Sequence, residues 1–597
     1  MPVHYRLVAP HPDTHRLQVT ATFPGGATTL IFPSWAPGSY LMREFARNAR
    51  NFSAATPDGR PVTLERVSRN TWRVAEPGPF VVRYEVYCHE KSVRTPYLDA
   101  ELAFFLPSNV LLYDPDRRTE AHTIEIDVPA GQVGVCALGA EVVGPARARW
   151  DAPDVDAMMD APISIAAFQH TTFDVDGVPH HHWIEPGHNG DLGKMNEDLR
   201  RVVAAAQATV GGPLPYPRYD FVTLLANKGH GGLEHKGCSV LLRPRLSLKD
   251  PKEYEEFITL AAHEHFHAWN VKRIHPDTLG PTFDYDREHY TRDLWWLEGG
   301  TVYYEERVTW RAGLVDRKRH LERLAEHHTR LLDVQGRHHQ PLEESSFDAW
   351  VKLYRPGEDS TNSTVSYYLK GAVVIWAMDL ELLHLTGGRA GVDAILRTLW
   401  ERWGRHGRGY PEGGTLRTVA EELLVDLPEA DRVGFGRWWD EHIVGTAPVR
   451  LAEALDHAGY DLVPGPVKPG GWLGLKLDGR LLVEQVRADG PAAGILSPGD
   501  ELVALDDVRL GNGALADRLR DAPPGTPLRV LLARDGRMME RTVTTAATPP
   551  SEWTITPRAT VDPARATVRA AWIGADAVPA PATSDAAPTT TPTPTAS

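Results

Sequence analysis

The 597-residue sequence predicts a multidomain α+β protein: an N-terminal antiparallel β domain, a mostly helical central domain and a small C-terminal β-rich domain. Three observations predict it. Residues 1–170 alternate apolar and polar side chains in short runs punctuated by Pro, Gly and Asp, as in 16–23, 80–87 and 123–128; this is the period of half-buried strands. Residues 171–460 begin with a mixed segment holding two apparent strands, 221–226 and 239–242, and carry long stretches of helical character at 194–210, 253–270, 317–334 and 366–385. Residues 461–471 are rich in Pro and Gly and read as a linker into a third domain, 461–546. Residues 547–597 form an extension whose end, closing in Pro588-Thr589-Thr590-Thr591-Pro592-Thr593-Pro594-Thr595, has nothing with which to bury a core and is expected to be disordered.

Composition narrows the function. A hydrophobic share of 42% and a charged share of 24% are ordinary for globular chains. The net charge of −15 argues against nucleic acid or an anionic membrane as principal partner. Cys88, Cys136 and Cys238 are far apart, show no C-x-x-C spacing and cannot all pair, so a reducing compartment is expected. Residues 1–17 lack an apolar core of signal-peptide type, and the apolar run 372–378 is short and ends at Asp379. The expected location is the cytoplasm. The subunit count is not readable.

The most informative motif is His263-Glu264-His265-Phe266-His267, an H-E-x-x-H pattern. Asp250 as N-cap, Pro251 at the first helical position and Glu253 three residues after the cap specify the start of its helix. Tyr254, Phe257, Ile258 and Ala261 supply an apolar stripe. Residues at i and i+4 share a helix face, so His263 and His267 can reach one ion, while Glu264 stands beside that face within reach of the attacking water's proton. His265 lies about 200° round the helix from His263 and reads as a packed or supporting residue. The competing reading is a histidine-rich face in a chain with 26 histidines.

Catalytic zinc usually takes three protein ligands. The third candidate is Glu298 in Leu297-Glu298-Gly299-Gly300-Thr301, where Leu294, Leu297, Thr301, Tyr304 and Val308 recur at helical spacing. A carboxylate buried among aromatics needs an ion pair or a metal, and its position on a second helix after H-E-x-x-H favours the metal.

With these residues in place, the sequence resembles the gluzincins, and in particular the glycyl aminopeptidase family, which carries a PDZ domain. Trp35-Ala36-Pro37-Gly38-Ser39-Tyr40, continuing to Arg43-Glu44-Phe45-Ala46-Arg47-Asn48, resembles the family's W-x-P-G-S-Y signature. His267-Ala268-Trp269-Asn270-Val271-Lys272-Arg273 resembles its extension of the zinc helix, Ser366-Tyr367-Tyr368-Leu369-Lys370-Gly371 its Y-x-K-G element, and Leu473-Gly474-Leu475 with Gly490-Pro491-Ala492-Ala493 and Gly499-Asp500 a PDZ domain. One departure is the spacing: many gluzincin aminopeptidases separate the second His from the third ligand by eighteen residues, whereas thirty lie between His267 and Glu298 here. The extra segment, 274–290, reads as an inserted loop near the substrate cleft.

The resemblance implies a thermolysin-like catalytic domain and one zinc ion per chain, held by His263, His267 and Glu298. It implies Glu264 as general base and Tyr368 as the phenol donor to the tetrahedral intermediate, with Tyr367 as the competitor. An aminopeptidase must also read a free α-amino group. Glu234 in Gly231-Gly232-Leu233-Glu234 is the candidate, similar to the G-x-M-E-N element of related enzymes although Leu233 and His235 replace Met and Asn; Gly231 and Gly232 would line the substrate by strand pairing. Amides around Leu473, Gly474 and Leu475 would bind a peptide C-terminus. His180-His181-His182, His327-His328 and His338-His339 read as surface clusters. The implied function is a zinc aminopeptidase acting on peptides and preferring an N-terminal Gly or Ala. The alternatives are a zinc endopeptidase and a PDZ-based peptide-binding protein with a vestigial site.

Overall fold

The computed structural model describes residues 2–139, 141–142, 146–280, 282–511 and 514–574. The expected disordered end, from 575 onward, lies outside the described residues. The architecture is an N-terminal β-sheet domain, a central mostly helical domain and a C-terminal β-sheet domain.

The N-terminal part is built on a seven-stranded sheet. Its strand Arg16–Phe23 pairs antiparallel with both Val3–Val8 and Phe80–Tyr87. Leu17, Val19, Ala21 and Phe23 point into the core, and Arg16 and Gln18 point out, as the period-2 pattern requires. One pairing departs from the antiparallel expectation: Val3–Val8 runs parallel to His122–Asp127. Strands so distant in sequence are free of the hairpin constraint that forces antiparallel neighbours.

The central part opens on a mixed five-stranded sheet in the order Gln169–Val175, Val178–Ile184, Tyr219–Ala226, Cys238–Pro244, Gly231–Glu234. The helix Leu192–Val210 crosses between Val178–Ile184 and its parallel neighbour Tyr219–Ala226. This sheet corrects one expectation. His180 and His182 are buried, because alternate residues of Val178–Ile184 face inward; His180 meets Tyr216 Oη at 3.1 Å and His182 meets Thr223 Oγ1 at 3.2 Å. His328 is buried too, on the inner face of the helix Arg317–Leu332, while His338 and His339 are exposed as expected.

Three helices converge behind the sheet: Pro251–Phe266, Gly300–Arg311 and Tyr367–Leu385. The last is buried on every side from Lys370 to Leu380, and its Asp379 accepts from Tyr303 Oη (2.6 Å), Arg307 (3.3 Å) and the amide of Val392 (2.9 Å). The apolar run at 372–378 is therefore the spine of a core. Among the described residues no helix is long and apolar enough to cross a membrane.

The C-terminal β unit has a core of its own around Leu473, Val483, Leu502, Val530 and Leu532. It meets the central part through Asn362, whose side chain donates to Val486 O (2.8 Å) and accepts from the Ala488 amide (2.9 Å), and through the Arg487–Asp333 pair (2.7 Å). The chain then returns: the strand Trp553–Pro557 pairs with Tyr460–Pro464, and the helix Pro563–Trp572 packs on Tyr367–Leu385.

Candidate active site

The H-E-x-x-H helix starts as its sequence dictates. Asp250 Oδ1 accepts from the amides of Lys252 (2.9 Å) and Glu253 (3.0 Å), and Pro251 occupies the first turn. The helix ends at Phe266, short of the expected 270, with His267 as its cap in helical conformation. Glu298 lies on a π-helical turn, Trp295–Gly299, that leads into Gly300–Arg311. Turns of this kind are frequent at functional sites.

These elements bring His263, His267 and Glu298 together. The two Nε2 atoms are 3.0 Å apart, and Glu298 Oε2 lies 3.2 Å from His267 Nε2 and 3.8 Å from His263 Nε2. A point equidistant from the three lies about 2 Å from each, which is the length of a zinc–nitrogen or zinc–oxygen bond. His267 and Glu298 are 1% and 2% exposed.

The other ring nitrogens are engaged in ways that leave Nε2 free to ligate. His263 Nδ1 meets Glu305 Oε2 at 2.5 Å, and His267 Nδ1 donates to the carbonyl of Asn270 at 2.7 Å. Such partners fix tautomer and ring orientation. Asn270 also reaches the second ligand-bearing element: its Nδ2 donates to Trp296 O, Leu297 O and Thr301 Oγ1, each at 3.1 Å. A π turn disrupts the regular helical bonding pattern, and Asn270 satisfies two of its carbonyls. The turn is seated against Tyr367–Leu385 through glycines. A Cβ on Gly299 would lie 2.6 Å from Tyr367 O, and one on Gly371 would lie 2.8 Å from Trp295 O. This close contact gives the Gly of the Y-x-K-G element a packing reason.

The electrostatics call for a cation. Burial works against the protonated forms of His263 and His267, yet Glu305 and Glu298 around the first and Glu298 beside the second outweigh it and raise both pKa values. Glu298 is held well below the usual carboxylate range; burial opposes this, and the two imidazoles prevail. Burial pushes Glu264 up to about 7, against the pull of the same imidazoles. A donor set that holds positive charge this tightly suits a metal ion.

Glu264 is 5% exposed and rests against the strand Gly231–Glu234, the outer edge of the five-stranded sheet. A Cβ on Gly232 would lie 2.1 Å from Glu264 Oε1. Glu234, 4% exposed, closes the same space: its carboxylate and those of Glu264 and His267's ring nitrogen fall within 4.8 Å of one another. Glu234 Oε1 is 3.6 Å from Lys272 Nζ, which pairs with Asp160 at 2.9 Å. Tyr368 is partly exposed, and its hydroxyl meets Tyr354 Oη at 3.2 Å; Tyr367 is fully buried. Leu473 and Gly474 form the turn before the strand Leu475–Leu477, in the C-terminal unit and not in this cleft.

Sequence reasoning missed Glu305, Tyr354 and the role of Asn270. Glu305 stands seven residues after Glu298, two helical turns along the same face, and that spacing was the available signal. Tyr354 lies in an irregular segment and carried none. The inserted segment 274–290 walls a cavity of about 790 Å³ whose lining includes Trp35, Tyr40, Glu234, Lys272 and Phe283. It is tied to the N-terminal domain by Ser34 N to Tyr285 O (2.7 Å), Trp35 Nε1 to Asp284 O (3.1 Å) and Asn70 Nδ2 to Asp286 Oδ1 (2.7 Å).

Two substitutions test this architecture. Asn270→Ala removes the link between the two ligand-bearing elements, and a competitive chelator titration should show metal affinity weakened about 10- to 100-fold. Gly232→Ala forces the Glu264 side chain aside. It should lower kcat about 100-fold or more while metal content stays near wild type, because the whole Glu264 side chain from Cγ outward, and no backbone or metal donor, is what must move.

Two family models match this chain. Residues 4–167 match the Peptidase M61 N-terminal domain, and residues 256–374, which include all three converging donors, match the M61 glycyl aminopeptidase. An aminopeptidase N family protein from Idiomarina loihiensis is 26% identical and superposes with a TM-score of 0.86 over 95% of this chain and 99% of its own. An M1 zinc metallopeptidase from Deinococcus radiodurans is 15% identical, with a TM-score of 0.45 over 75% of this chain and 94% of its own. Among curated proteins none matches. With both of its family regions matched and the donors of one of them converging as a metallopeptidase requires, the chain belongs to the M61 glycyl aminopeptidase family.

Proposed function

We propose that this zinc-dependent aminopeptidase holds one zinc ion per chain on His263, His267 and Glu298 and removes the N-terminal residue of peptides, favouring Gly or Ala. The observation that carries this reading is the convergence of the three donors at zinc-ligand spacing with Glu264 beside them. Zinc bound there would activate a water near neutral pH and polarise the scissile carbonyl.

The residues divide the remaining work. Glu264 takes the proton of the attacking water and passes it to the departing amine; its burial, which raises its pKa to about 7, suits both halves of that task. Gly232 leaves room for the carboxylate. Tyr368 donates a hydrogen bond to the developing oxyanion, oriented by Tyr354. Its partial exposure to the cleft favours it over the enclosed Tyr367. Glu234 receives the substrate's α-ammonium, and the free edge of Gly231–Glu234 pairs with its backbone. A small-residue preference is an expectation of the family name. In the C-terminal unit, which we assign as PDZ-like, the Leu473-Gly474-Leu475 turn is the proposed carboxylate-binding loop. The three cysteines are free and buried, which suits a reducing compartment such as the cytoplasm.

Glu264→Gln should retain zinc at wild-type stoichiometry and lose about 10³-fold in kcat; near-wild-type turnover would remove Glu264 from the mechanism. Hydrolysis of Ala-Ala-Ala should be abolished by chelator and by N-acetylation of the peptide. Equal rates for the free and acetylated peptides would exclude amine recognition by Glu234 and leave an endopeptidase.

A further inference from the structure

The cleft holds two arginines that the mechanism does not use. Arg94 sits in the turn between the strands His89–Ser92 and Thr95–Leu98 of the N-terminal domain. Its backbone is fixed: the amide donates to Ser92 Oγ (3.1 Å) and the carbonyl accepts from Asn109 Nδ2 (3.4 Å). Its guanidinium lies beside the substrate-pairing strand, with Nη1 3.7 Å from where a Cβ of Gly231 would stand. Burial works against its charge, yet the active-site groups around it, Tyr354, Tyr368, Glu264 and Glu234, outweigh burial and raise its pKa. Arg43, from the W-x-P-G-S-Y region, is a neighbour of Arg94, Glu90 and Tyr354, and Glu90 pairs with Arg47 at 3.7 Å.

Neither guanidinium is neutralised at contact distance. The Nε of each is buried without a hydrogen-bond partner, and among the described residues no carboxylate lies within ion-pair distance of either. The two acids nearest in the cleft are otherwise committed, Glu264 beside the metal donors and Glu234 to Lys272. Arginine cannot shed its proton, so two like charges share a partly desolvated corner. Burial and the neighbouring Arg94 work against the charge on Arg43, whereas the acids of the cleft favour that on Arg94 from a distance; unpaired at contact distance, the planar fork of a guanidinium matches a carboxylate.

We infer that Arg94, supported by Arg43, binds the C-terminal carboxylate of the substrate, so that the enzyme is selective for short peptides with a free C-terminus. The distance is consistent. From Glu234 back to Gly231 is three strand steps, about 10 Å, which is the span of an extended tripeptide from its amine to its carboxylate. An amine held at Glu234 and a carboxylate held at Arg94 would stretch two or three residues past the metal donors.

This inference rests on the aminopeptidase reading, and one experiment separates the two. The zinc-loaded full chain is assayed on Ala-Ala-Ala and on its C-terminal amide. The acid should be preferred at least tenfold in kcat/KM, mostly through KM. In Arg94→Gln and Arg94→Ala that ratio should fall toward one, Arg94→Lys should keep part of it, and Arg43→Gln should lower it by less. Equal rates for acid and amide in the wild-type enzyme would overturn the inference without any variant, as would a ratio that survives loss of Arg94. Loss of kcat on both peptides alike would assign Arg94 to the reacting centre and overturn it too. If Ala-Ala-Asp amide matched the free acid, the carboxylate recognised would be a side chain and not the C-terminus, again overturning it. Hydrolysis of neither peptide would sink the aminopeptidase reading itself.

Discussion

The site depends on one asparagine. Asn270 accepts from His267 through its carbonyl and clamps the π turn that carries Glu298 through its side chain. Two ligand-bearing elements separated by a long insertion are thereby held in one frame before any ion binds. The second constraint is the absence of side chains at Gly299 and Gly371, which lets the π turn approach the buried helix Tyr367–Leu385 to backbone contact. Preorganisation of this kind removes the cost of assembling a metal site from mobile parts.

The insertion between His267 and Glu298 serves as a bridge. It contributes backbone carbonyls to Ser34 and Trp35 and the carboxylate of Asp286 to Asn70, all in the N-terminal domain. The W-x-P-G-S-Y region is thus placed where a Cβ on Gly38 would lie 2.6 Å from Glu234 Oε1. The N-terminal domain is part of the cleft wall and delivers Tyr40 and Arg94 toward the active site.

Much of this was legible in the sequence because it is local. A capped amphipathic helix with His at i and i+4 states its own geometry, and a carboxylate among aromatics on a following helix stands out by its desolvation cost. The strands at 16–23 and 80–87 were readable from their alternation. What could not be read is long-range. No local pattern says that Val3–Val8 pairs parallel with His122–Asp127, that 553–572 returns to pack on the central domain, or that Tyr354 meets Tyr368. The histidines at 180 and 182 misled because polarity suggested surface, whereas each finds a hydroxyl partner inside. The H-E-x-x-H helix ends at Phe266, ahead of the point where Asn270 bonds the π turn, a tertiary contact that no local pattern announces.

The most direct measurement is anomalous diffraction at the zinc edge from crystals of the zinc-loaded protein. The account predicts one strong peak about 2 Å from His263 Nε2, His267 Nε2 and Glu298 Oε2. A peak instead among Glu234, Glu264 and His267, the other cluster able to hold a cation, or none at the three donors, would contradict it.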